Sequence, residues 1–93
     1  SRDAVAEFCV RNRIRRLAFF GSVLREDFTP ESDIDVLVEF EPGARVGYIT
    51  LAGMEIELSK LLGRRVEIHT VKGLSPYFRD SVLAQALVQY EPA

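Results

Sequence analysis

Ninety-three residues, 47% of them hydrophobic, with six Phe and three Tyr, suffice for one small core, leave no room for a second domain, and exclude a disordered chain. A net charge of −2 disfavours a general nucleic-acid binder, and no apolar run approaches the length of a membrane span. The single cysteine, Cys9, precludes an internal disulfide and fits a reducing cytoplasm. The N-terminus lacks signal-peptide architecture, and Ser at position 1 in place of Met suggests a processed or trimmed start.

In chain order, residues 3–12 are predicted as a short helix with Val5, Phe8 and Cys9 at helical spacing; the plain reading of Cys9 is a small buried hydrophobe. Arg11, Arg13, Arg15 and Arg16 form a basic cluster, read either as a solvated face or as a docking patch for an acidic partner surface or for RNA held by that partner. Leu17 to Phe20 is predicted as a short strand buried on both faces, stopping at Gly21. Ser22 to Glu26 reads as one helical turn and Thr29 to Ser32 as loop, with Pro30 breaking any helix. Asp33 to Phe40 is the clearest strand, with Ile34, Val36, Val38 and Phe40 on one face and Asp33, Asp35, Leu37 and Glu39 on the other. Residues 48–62 form the longest predicted helix. Leu51, Met54, Leu58, Leu61 and Leu62 make its stripe, flanked by Ile49, Ala52 and Ile56, and Gly63 stops it. Arg65 to Val71 is a third strand, with Val66, Ile68 and Thr70 opposite Glu67, His69 and Val71; the intervening helix makes it a crossover, parallel to the second strand. Ser75 caps a last helix that starts at Pro76 and runs to about Val88, with Phe78, Val82, Leu83, Ala86 and Leu87 facing inward.

The chemistry concentrates between Phe20 and Phe40. Side chains alternate along a strand, so Asp33 and Asp35 project from one face with their Cα atoms ~6–7 Å apart. Carboxylates that close repel each other unless a cation sits between them, and oxygen-ligand ions such as Mg²⁺ suit them. Upstream, the glycine of Gly21-Ser22 lets a phosphate approach the backbone, and a helix start would offer free N–H groups. Metal-binding carboxylates with a phosphate cradle point to phosphoryl or nucleotidyl transfer. The chain order Ser22, Asp35, His69 mimics a hydrolase triad, but Gly-x-Ser-x-Gly is missing and the chain is too short for that fold. His69, the only histidine, shares a strand face with Glu67 and reads as a partly buried strand residue or as a contact to nucleotide or metal.

Gly21-Ser22, the ten residues between Ser22 and Asp33, and Ser32-Asp33-Ile34-Asp35 resemble the signature of the DNA polymerase β-type nucleotidyltransferase superfamily. Within it the chain resembles the minimal nucleotidyltransferases (MNT), antitoxin partners of HEPN-domain toxins. Glu39 to Gly43, Leu61 to Glu67 and Gly73 to Tyr77 extend the likeness over nearly the whole chain. The resemblance implies an α/β fold, a small mixed β-sheet with flanking helices. It implies a two-metal Mg²⁺ site of Asp33, Asp35 and Glu67, and a nucleotide site of Gly21, Ser22 and Arg25. Glu67 stands where the family more usually has Asp, and Glu26 where it often has Gly. The implied reaction moves AMP from ATP to a tyrosine hydroxyl of a HEPN ribonuclease toxin. The alternatives are an antitoxin that neutralises by binding alone, or transfer to a small molecule or RNA.

Overall fold

A computed structural model describes residues 2–21 and 33–91. Helix α1 (Arg2–Arg11) buries Val5, Phe8 and Cys9, the three residues that its spacing singles out. Asn12 closes the helix: its backbone N–H and its side-chain amide both donate to the Phe8 carbonyl. Arg13 then takes a left-handed conformation, φ 58°, and reverses the chain into strand β1 (Ile14–Phe20). The strand starts three residues ahead of the apolar run that marks it in the sequence. Arg15 and Arg16 are exposed there, and a bulge between Ile14 and Arg16 adjusts the pairing with the neighbouring strand. Burial on both faces is therefore confined to the Leu17–Phe20 end.

Strand β2 (Ile34–Phe40) pairs antiparallel with β1 and parallel with β3 (Val66–Thr70), while β4 (Leu87–Tyr90) pairs antiparallel with the other side of β1. The sheet order is β3-β2-β1-β4. Helices α1 and α2 (Tyr48–Leu62) cover one face. There Phe8, Cys9, Met54 and Leu58 pack with Leu17, Val36, Val38, Val66 and Ile68 into one core. Gly63, φ 70°, ends α2 and donates its N–H to the Ser59 carbonyl, so the predicted stop is a left-handed cap.

Side chains of α2 also finish the sheet. The outward N–H groups of edge strand β3 donate to them: Val66 N to Ser59 Oγ at 2.9 Å and Ile68 N to Glu55 Oε2 at 2.7 Å. An edge that would otherwise present unpaired donors is closed by its own crossover helix. The buried stripe of α2 is narrower than its composition suggests. Met54 and Leu58 are buried, Leu51 and Leu62 flank them, but Leu61, Ile49 and Ile56 lie outside the core at 39%, 90% and 61% exposure. The sheet face is shared with α1, so only one line of α2 residues reaches it.

The C-terminal segment departs most from expectation. Helix α3 (Pro76–Gln85) is capped as predicted, with Tyr77 N donating to Ser75 Oγ, but it stops at Gln85. Ala86 is extended, and Leu87–Tyr90 becomes a strand. None of the α3 residues is buried, so Phe78, Val82, Leu83, Ala86 and Leu87 do not form an inward helical face. A strand there pairs the free edge of β1, which one further helical turn would leave unsatisfied. Arg79 fastens α3 to the turn before it, its guanidinium donating to the Val71 and Leu74 carbonyls. Helix α1 packs against β4 as well as β1, and Arg2 and Gln89 line one small hollow.

Three of the four arginines of the basic cluster pair with the chain's own acids, and Arg15 is exposed. Arg11 pairs with Glu57, Arg13 with Glu41, and Arg16 with Glu39 and Glu91, all at half-exposed positions. Such pairs contribute little to stability.

Candidate active site

The face of the sheet opposite α1 and α2 carries the polar residues. Asp35 sits at its centre: in register it lies beside Phe20 of β1 on one side and Glu67 of β3 on the other. Because β2 and β3 run parallel and in step, Asp35 and Glu67 project side by side. His69, two residues beyond Glu67, shares that face and is opposite Leu37. Its ring leans back along the strands, placing Nε2 3.3 Å from Asp35 Oδ1. Phe20 meets the imidazole edge-on, with ring centroids 5.2 Å apart and planes at 70°. Asp35, Glu67 and His69 each present a ligand atom, and these atoms all lie within 4.8 Å of one another.

Gly21 closes the site from the β1 side. Its φ of 76° lies in the left-handed region, and a Cβ at this position would overlap Asp35 Oδ2. Glycine is thus required twice, for the turn and for the approach of the carboxylate to the backbone. Ser22 and Arg25, the other expected nucleotide-binding residues, lie outside the described residues, as do the helical turn and loop expected over 22–32.

Asp33 stands one residue ahead of β2, with Oδ2 3.9 Å from Arg65 Nε. It does not join the group of three. The sequence therefore names two members of the cluster, Asp35 and Glu67, and ranks the third differently. The signal for His69 was its alternate spacing with Glu67 on one strand. What the sequence could not supply was the lean of the ring toward Asp35 rather than Leu37.

Farther along the same face, Ala18 and Leu37 are cross-strand partners, buried under the end of α3. They floor a hollow of about 210 Å³ with Leu83 and Ala86 as its wall and Arg16 and Glu39 at its rim. A larger hollow of about 490 Å³, at the far ends of β2 and β3, contains none of the expected site residues.

The three helices and mixed four-stranded sheet of the described residues match the nucleotidyltransferase fold. The chain belongs to the nucleotidyltransferase domain family, which matches residues 2–88. Among its relatives, a Methanocaldococcus jannaschii protein provisionally named a protein adenylyltransferase is 32% identical over 78 residues, spanning 84% of this chain and 82% of the relative. A second protein of that organism, named likewise, is 38% identical over 72 residues, with coverage of 75% and 70%. A solved structure described as a minimal nucleotidyltransferase superposes with a TM-score of 0.75 at 40% identity, covering 92% of this chain and 86% of that one. A toxin–antitoxin complex with AMP-PNP (TM-score 0.79, 17% identity, coverage 99% and 74%) shares the fold. So does a complex of a tri-AMPylated Shewanella oneidensis HEPN toxin with its MNT antitoxin (TM-score 0.71, 16% identity, coverage 98% and 70%).

Proposed function

We propose that this chain is a single minimal domain that moves AMP from ATP to a protein hydroxyl, a tyrosine of a HEPN ribonuclease toxin, and thereby acts as an antitoxin in the cytoplasm. The observation that carries this reading is the in-register facing of Asp35 and Glu67 on parallel strands, with the Gly21 backbone against Asp35. The donor set fits a divalent cation: the Asp35 and Glu67 carboxylates converge within ligand-sharing distance, and Asp33 stands two residues before Asp35, outside the converged group. Asp33, Asp35 and Glu67 would hold Mg²⁺. When bound, the ion supplies charge neutralisation at the phosphates and lowers the pKa of the acceptor hydroxyl.

Gly21, Ser22 and Arg25 would hold the triphosphate through backbone N–H, hydroxyl and guanidinium donors. The acceptor oxygen bonds to the α-phosphorus, the bond to pyrophosphate breaks, and the hydroxyl proton leaves. The names borne by the M. jannaschii relatives and the AMP-carrying toxin of the S. oneidensis complex support adenylyl transfer to a protein. Among the described residues no helix is long and apolar enough to cross a membrane.

A second reading, neutralisation by binding alone, is favoured by one observation: on α3, Tyr77 and Phe78 are 93% and 65% exposed, an apolar surface suited to a partner. Incubation with ATP, Mg²⁺ and the toxin, followed by mass spectrometry of the separated toxin, distinguishes the two. Adenylylated tyrosine that disappears with Asp35→Asn supports transfer. A toxin neutralised but unmodified, with the site intact and Mg²⁺–ATP present, overturns it in favour of binding.

A further inference from the structure

We propose that His69 is a metal ligand beside Asp35 and Glu67, and that this trio selects late first-row divalent ions such as Zn²⁺ and Co²⁺ over Mg²⁺. The inference rests on reading Asp35 and Glu67 as metal-holding residues, and adds a nitrogen donor to them. Three observations support it. Asp35 Oδ1 and His69 Nε2 are 3.3 Å apart, a hydrogen-bond contact that a shared ion would replace. Donors bound to one ion at roughly 2.1 Å stand about 3–4 Å from each other, so this pair is already spaced for a shared ion. Only Glu67 has to close in from the 4.8 Å limit, and it is exposed and unbranched, so a rotamer change suffices.

The imidazole is also positioned before any ion arrives. It is about one-third exposed, and the edge-on contact with Phe20 fixes the plane of the ring. Because β3 is held in register by β2 and by the Glu55 and Ser59 bonds, the backbone that carries Glu67 and His69 is fixed as well. A constrained set of one imidazole and two carboxylates leaves further coordination positions open on the solvent side.

Donor chemistry then sets the preference. Mg²⁺ demands oxygen ligands and keeps much of its water, whereas imidazole raises affinity for Co²⁺ and Zn²⁺ in the usual order of first-row ions. An all-carboxylate site has no nitrogen donor to widen that margin.

The test uses the full chain without nucleotide, its one histidine labelled with ¹⁵N. Addition of one equivalent of ZnCl₂ is expected to shift the His69 Nε2 resonance, while millimolar MgCl₂ leaves it in place. CoCl₂ should give visible ligand-field bands without the thiolate charge-transfer band that Cys9 would add. His69→Asn should keep the thermal melt and weaken Zn²⁺ binding by about tenfold or more. An imidazole resonance silent to ZnCl₂, or equal Zn²⁺ affinity in His69→Asn, overturns the proposal. Adenylyl transfer with Mg²⁺–ATP, measured in parallel, separates the two readings. Transfer that persists with a silent imidazole sinks the His69 site alone, whereas Zn²⁺ ligation without any transfer sinks the enzymatic reading and leaves the site standing.

Discussion

Glu55 of helix α2 accepts the Ile68 backbone N–H of β3 at 2.7 Å, one residue from each of the two β3 members of the candidate site. The bond is charge-assisted and half-buried, which places it among the stronger kind. Glu55→Ala leaves a strand donor unpaired and is expected to destabilise the domain by about 1–2 kcal/mol. Ser59→Ala, which removes the neutral bond to Val66 N, should cost about 1 kcal/mol. Urea unfolding of both variants checks the order; equal midpoints to wild type would show that water replaces both caps at no cost.

Gly21 is expected to be the least replaceable residue of the site. Gly21→Ala meets a left-handed backbone penalty of about 1–2 kcal/mol and also displaces the Asp35 carboxylate. Loss of transfer activity should therefore exceed what the fall in melting temperature explains. Asp35→Asn, which keeps the shape, should lose activity with little change in melting.

Arg13 holds a left-handed conformation with a side chain that gains only an exposed pair to Glu41, 3.5 Å away. Glycine has no Cβ to strain there. Arg13→Gly is expected to stabilise the domain by about 0.5–1 kcal/mol, read as a rise in the urea midpoint. A lower midpoint would show that the Glu41 pair outweighs the strain.

Cys9 is buried, and burial pushes its thiol up to about 12 from an ordinary 9.0. The fold therefore favours the neutral thiol. Its contribution to stability is complete below about pH 9 and is lost as pH rises from there toward 12. The stability advantage of wild type over Cys9→Ala should narrow between about pH 8 and pH 10.5, and a thiol reagent should react with the native chain only as fast as it opens. A gap constant with pH would contradict this.

How much of this was legible beforehand depends on what kind of information each residue carries. The bounds of helix α2 are readable to the residue, because helical spacing and Gly63 are local signals, but how much of its stripe is buried depends on the space that α1 leaves on the sheet. The parallel pairing of β2 with β3 follows from the helical crossover, whereas the grouping of Glu67 with Asp35 comes from the family resemblance. Leu87 and Val88 read as helix because Phe78, Val82, Leu83 and Leu87 recur at helical spacing, yet the deciding force is the vacant edge of β1, a partner distant in sequence. Ile14 and the two arginines after it were missed as strand for the same reason: pairing with Phe40 and Glu39, not local hydrophobicity, makes them one. His69 shows the limit at the site itself, since spacing put it on the correct face but the direction of its ring came from Phe20 and Asp35.

The meeting of α1 with β4, where Arg2 and Gln89 share a hollow, has a use in building the molecule differently. Helix α1 and strand β4 lie together, so in a chain cut to residues 2–91 a short glycine-rich linker can join residue 91 to residue 2 and make a ring. New ends then open at the exposed Pro42–Gly43 turn, between β2 and α2 and clear of Asp35, Glu67 and His69. Such a permutant reverses the order in which the two carboxylate-bearing strands emerge during synthesis, β3 now preceding β2. If such a permutant folds and keeps its site, the site depends on which strands end side by side and is indifferent to which of them is made first.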